Sequence, residues 1–110
     1  MPAYVSLIKF TDAGLRNVKD VVKRTKVGRQ TAEAVGCRIT GVWWALGGQY
    51  DLIIVIEAPD AETLMRLGLG TAMNGNMRGD TMLQIFSEEE MDRIVQGLPE
   101  AQPRPQYEES

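Results

Sequence analysis

Trp43-Trp44-Ala45-Leu46-Gly47-Gly48-Gln49-Tyr50-Asp51-Leu52-Ile53-Ile54-Val55-Ile56 reads as two strands and the turn between them. Aromatic and β-branched residues suit a pleated, half-buried backbone. Gly47-Gly48-Gln49 supplies the positive φ that a tight reversal needs. The pattern predicts an antiparallel hairpin, one strand over 37–46 and the next over 52–56, closed by Pro59. Successive strand side chains point to opposite sheet faces. Leu52 to Ile56 is apolar at every position, and Trp43 and Trp44 must point to opposite faces. Both faces of this sheet therefore need a cover.

Working outward, residues 3–10 read as a first strand, and Thr11 can cap a helix with Asp12 in its first turn. Leu15, Val18 and Val22 set an apolar face that Ala32 and Val35 resume, whereas 23–30 carries little apolar signal and includes Gly28. A kinked or broken helix over roughly 12–35, ended by Gly36, is expected. Asp60 caps a second helix with Ala61, Leu64, Met65 and Ala72 on its apolar side, ended by Gly75 and Asn76. A fourth strand runs from Met77 or Thr81 to Phe86, and Ser87-x-x-Glu90 is a capping box that starts a short helix to Gly97. The order βαββαβ plus a C-terminal helix is that of an α+β, ferredoxin-like fold with an antiparallel four-stranded sheet. Its helices cover one sheet face only. A second copy of the sheet is the economical cover for the other, pairing two chains as a dimeric α+β barrel. Residues 1–97 read as one domain and 98–110 as a polar tail containing Pro and Glu.

Composition narrows the chemistry. A hydrophobic fraction of 44% and a charged fraction of 25% are those of an ordinary globular protein. The expected setting is cytoplasmic: no apolar run is long enough to span a bilayer, no signal peptide is read, and the single Cys37 suits a reducing compartment. Histidine is absent. That removes His-activated nucleophiles, His-ligated metal sites and the commonest general base; a carboxylate site for magnesium or calcium stays open but has no recognisable loop, and no metal and no cofactor are expected. Met65, Met73, Met77 and Met82 read as core fillers. The net charge of −3 is unevenly spread, with eight Lys/Arg against four Asp/Glu in residues 1–56 and four against eleven in 57–110. The basic stretch from Arg16 to Arg29 could touch phosphate or an anionic ligand, and more simply suits a solvated helix face or contact with an acidic neighbouring subunit. Nucleic-acid binding gains no support, because no aromatic side chains interleave with these cations.

Four pieces of this sequence resemble the GYD-domain family. They are the hairpin turn with Gly48, Tyr50 and Asp51; Lys9-Phe10-Thr11-Asp12-Ala13-Gly14 with Arg24 downstream; Ala58-Pro59-Asp60; and Gly75-Asn76-Met77-Arg78 leading to Thr81. The resemblance spans roughly residues 3–87 and implies the same dimeric α+β barrel, without implying an activity. Val21-Val22 departs from the proline-containing break of relatives, so a more continuous helix is expected here.

Six residues stand out as candidate binding groups. Tyr50 and Asp51 could orient a substrate hydroxyl or move a proton, or could instead tie down the turn, and strand alternation argues against both facing one pocket. Arg24 and Arg78 could hold a small anionic ligand, or form an ion pair with Asp51. Trp43 could line an aromatic pocket inside the barrel or pack between sheets. Lys9 is the one amine placed to lie within the sheet. Cys37 reads as inert, and no catalytic residue is assigned. The first function class is an oligomeric small-molecule or protein-binding module without catalysis. The second is a cofactor-independent enzyme, of monooxygenase or isomerase type, using Tyr50, Asp51, Arg24 and Lys9. A third is an assembly subunit whose acidic tail contacts a partner.

Overall fold

The computed structural model describes residues 1–100; most of the predicted tail, from residue 101, lies outside them. In chain order the elements are β1 (Ala3–Phe10), α1 (Asp12–Arg16), a 3-10 turn (Val18–Asp20), α2 (Val21–Ala34), β2 (Arg38–Trp44), β3 (Leu52–Glu57), α3 (Ala61–Met73), β4 (Met77–Ile85) and α4 (Glu88–Gln96). The four strands form one antiparallel sheet in the order β2-β3-β1-β4. This is the expected α+β, ferredoxin-like arrangement, with the hairpin of β2 and β3 at one side.

Local chemistry sets the boundaries. Thr11 accepts from the Gly14 amide, Asp60 from the Thr63 amide, and Ser87 and Glu90 form both bonds of the capping box. At the end of α2, Gly36 takes φ +81°; its amide donates to the Glu33 carbonyl at 3.1 Å and that of Cys37 to Ala32 at 2.9 Å. These two bonds are a Schellman cap, which terminates the helix where the glycine stands.

The helix between β1 and β2 is broken, but at the 3-10 turn just before Val21, while Gly28 lies inside an uninterrupted α2. The continuity expected from Val21-Val22 is thus not found. The apolar face expected for α2 is also corrected. Leu15, Val18, Val22 and Val35 are exposed, and the side turned to the sheet is Val21, Arg24, Thr25, Gly28 and Ala32. That row keeps the helical i, i+3, i+4, i+7 spacing with residues too small or polar to register as hydrophobic. Met65, Met73 and Met82 are likewise exposed rather than core fillers.

Packing is closest at one end of the helix–sheet layer. Ala32, Cys37, Ile56, Ala58 and Leu64 are buried together, with Tyr4, Ile39, Ile54 and Leu67 against them. Burial raises the Cys37 thiol pKa above its ordinary value, aided by the nearby Asp60 charge, which keeps the thiol protonated and unreactive. A cavity lies beside this cluster between the helices and the sheet, with Ile56 and Leu64 among its walls and Met77 and Gly79 of β4 further along. The helix α4 carries Met91, Ile94 and Val95, all about half exposed, and no other described element covers them.

Candidate functional site

Side chains that meet the core come from Tyr4, Ile54 and Ile56, so their strand neighbours point to the opposite, helix-free face. The registers place that open face in rows. From β2 to β4 the first row is Arg38, Glu57, Ala3 and Ile85, and the second is Gly41, Val55, Val5 and Leu83. The third is Trp43, Ile53, Leu7 and Thr81, and the last holds Asp51, Lys9 and Arg78. The two middle rows are almost wholly apolar. A cross-strand ion pair, Arg38–Glu57 at 3.6 Å, marks one end, and the charged Asp51, Lys9 and Arg78 mark the other. Trp43 is 56% exposed and Leu83 50%. An apolar centre with a charged rim is the composition of a protein interface.

Trp43 is held flat on this face. Its indole folds back over Gly41, where a Cβ would collide with the ring. Trp43 and Trp44 pair with Ile53 and Leu52, successive residues of β3, so they point to opposite faces as expected.

The glycine turn before β3 acts as a stitch. Gly47 and Gly48 take φ +74° and +99°, conformations that a side chain disfavours. They bring Tyr50 and Asp51 back onto β1. Asp51 accepts the Phe10 amide through Oδ2 at 2.9 Å, and its own amide donates to the Ile8 carbonyl at 2.9 Å. Its carbonyl accepts the Ala45 amide at 3.0 Å, closing the loop. The Tyr50 hydroxyl pairs with Thr81 Oγ1 on β4 at 3.1 Å, and the Lys9 ammonium lies 6.0 Å from the Tyr50 ring centroid. Tyr50 precedes the strand, so strand alternation does not separate it from Asp51. Asp51 meets β1 at the Phe10 amide, while Tyr50 passes near Lys9 and reaches β4 at Thr81.

Arg24 is placed elsewhere, on the helix side. One of its terminal nitrogens, Nη1, donates to the Asn17 carbonyl at 2.6 Å. Among the described residues no ion pair joins Asp51 to Arg24 or Arg78. The structure therefore gathers Lys9, Tyr50, Asp51 and Arg78 at one end of the open face, with Trp43 in the adjoining row, and leaves Arg24 out. It also brings two of the motif pieces into contact. Thr11 donates through its amide to the Asn76 carbonyl at 3.2 Å and through its hydroxyl to the Gly75 carbonyl. Gly14 lies against that same Asn76 carbonyl, where a Cβ would not fit. Sequence reading missed Thr81 as the tyrosine's partner, because a bulge in β4 between the partners of Leu7 and Ile8 shifts the register.

Among the described residues no three His, Cys, Asp or Glu side chains are grouped to hold a metal, and no helix is long and apolar enough to cross a membrane.

The class defined by these features is an antiparallel α+β domain whose Gly-Tyr-Asp turn stitches the sheet. The family model for the GYD domain matches residues 4–95, and the chain belongs to that family. It is similar to the glutamine synthetase and cystathionine beta-lyase binding protein of Thermus thermophilus. The two are 31% identical over 83 residues, 74% of this chain and 86% of the relative. No solved structure matches the chain.

Proposed function

We infer that the chain is a non-catalytic protein-binding module that works as a homodimer, its open sheet face paired with that of a second copy. The observation that carries this is the open face itself, two apolar rows bounded by charges and covered by no described helix. Each large side chain withdrawn from water there contributes about 1.5–3 kcal/mol. The half-exposed apolar stripe of α4 offers a second element for a partner subunit to cover. The relative's name is that of a protein that binds two enzymes, which supports a heterologous enzyme as the partner of the assembled dimer. Against a catalytic role, the Asp51 carboxylate and the Tyr50 hydroxyl are both engaged by the chain's own groups.

Sedimentation equilibrium at low micromolar concentration tests the dimer. The wild type is expected to be at least dimeric, and Leu83→Arg, which sets a charge in the apolar centre of the face, is expected to be a folded monomer. A monomeric wild type refutes the barrel. Titration of the wild type against purified glutamine synthetase tests the heterologous partner, and no binding at micromolar concentration removes that enzyme.

A further inference from the structure

The helix side of the sheet holds a cavity of about 520 Å³ under α2 and α3, within the size range of small-molecule sites. Its walls are mainly apolar, with Tyr4, Ile8, Ile54, Leu64, Leu67 and Met77 among them. Among the described residues Arg24 is the one charged side chain that lines it. While its Nη1 is bonded to Asn17, its Nη2 is buried and has no hydrogen-bond partner. A buried guanidinium nitrogen left without an acceptor costs free energy, and an anion restores what is missing. Arg24 also lines a wider hollow between the helices, of about 920 Å³, where the other charged side chains are Lys23, Arg66 and the carboxylate Asp20. An occupant of the cavity would have an apolar body inside and an anionic end at Arg24.

The glycines give an independent sign. Gly28 in α2 and Gly68 in α3 both line the cavity. Neither takes positive φ, and a Cβ at either would meet nothing within 4 Å. Backbone conformation and packing in the unliganded chain thus require glycine at neither position, and both are unfavourable in helix interiors. What the missing side chains do is leave volume.

We propose that this cavity binds an amphipathic monocarboxylate, its apolar body between the helices and the sheet and its carboxylate on Arg24 Nη2. Nη2 has almost no accessible surface in the unliganded chain, so the carboxylate reaches it through a shift of the Arg24 side chain, and one freed nitrogen suits one monoanion. The site lies on the opposite side of the sheet from the docking face, so either can fail without the other.

Calorimetric titration with decanoate and with decanol, its uncharged counterpart, tests the assignment. The wild type is expected to bind decanoate at least about tenfold more tightly than decanol, a ratio equivalent to about 1.4 kcal/mol. Arg24→Gln should abolish that preference while leaving decanol binding unchanged, which also reports that the cavity is intact. Gly28→Leu should raise the melting temperature, because leucine favours the helix and its Cβ is unopposed, and should weaken both ligands about tenfold or more. The assignment is overturned if decanoate fails to bind the wild type at millimolar concentration. It is equally overturned if Arg24→Gln keeps the preference for decanoate, or if Gly28→Leu is stable and binds as the wild type does.

Discussion

Asp51→Ala and Asp51→Asn differ in whether the Phe10 amide keeps an acceptor. That amide stands at the last residue of β1, and Asp51 Oδ2 accepts it at 2.9 Å in a half-buried position. A hydrogen bond to an ionised group contributes about 1.5–3 kcal/mol. Truncation to alanine removes it, and partial access of water to the freed amide holds the loss near about 2 kcal/mol. Asparagine retains a side-chain oxygen and forfeits only the charge assistance, so its cost is about 1 kcal/mol or less. No arginine is stranded by either change, since neither Arg24 nor Arg78 pairs with Asp51. The penalty of about 3–5 kcal/mol for breaking a buried ion pair therefore does not arise. For a domain near this size, about 2 kcal/mol corresponds to about 8–16 °C in melting temperature. Urea melts of the three proteins at one protomer concentration supply the measurement, because the proposed dimer would make apparent stability depend on concentration. The reasoning fails if asparagine costs as much as alanine, or if either exceeds about 3 kcal/mol.

Gly14→Ala should destabilise by about 1–3 kcal/mol, because its Cβ would strike the Asn76 carbonyl, a backbone atom with little freedom to retreat. An unchanged denaturation midpoint would refute the close contact between that helix cap and the β4 entry. Acid should weaken α3 and α4. The Thr63 amide holds the Asp60 carboxyl below its ordinary 3.8, and the Ser87 amide holds Glu90 below 4.5. A depressed folded-state pKa gives stability that is present above the unfolded value and lost as pH falls through the folded one. The loss should begin below about pH 4.5 and flatten in the Asp60→Asn, Glu90→Gln double variant, read by denaturant melts across pH. An undiminished acid slope in that variant would count against the caps as its source.

What could be read from residues alone was whatever depends on near neighbours. Thr11, Asp60 and Ser87 announce helix starts, Gly36 and Gly75 announce stops, and the glycine turn announces the hairpin, since each acts over four or five residues. The apolar run of β3 also gave away a sheet with two faces to cover. The inward side of α2 stayed hidden because Thr25, Gly28 and Ala32 gain their position from the sheet below and carry little hydrophobic signal. For the candidate residues, types were legible and partners were not. The Asp51 carboxylate meets a backbone amide rather than an arginine, and a main-chain partner has no signature in side-chain pattern. Tyr50 reaches Thr81 only through a register that a β-bulge displaces. Arg24 shares a motif with Lys9 and yet ends on the other side of the sheet, because it lies on the sheet-facing row of α2.

The strand order has a consequence for how the chain is made. β1 is synthesised first but lies inside the sheet, with Ala3 paired to Glu57 on one side and to Ile85 on the other. At about 5–20 residues per second, both neighbours of the first strand are missing for several seconds after it is polymerised. Pairings this distant along the chain also make for slow folding, because long loops must close before their contacts form. Through that interval the alternating apolar residues of β1, Val5 and Leu7 on one side and Tyr4 and Ile8 on the other, have two bare edges. An exposed strand edge is a template for pairing with another chain. The edges of β1 are closed one at a time, the first when β3 can pair with it and the second only when β4 follows.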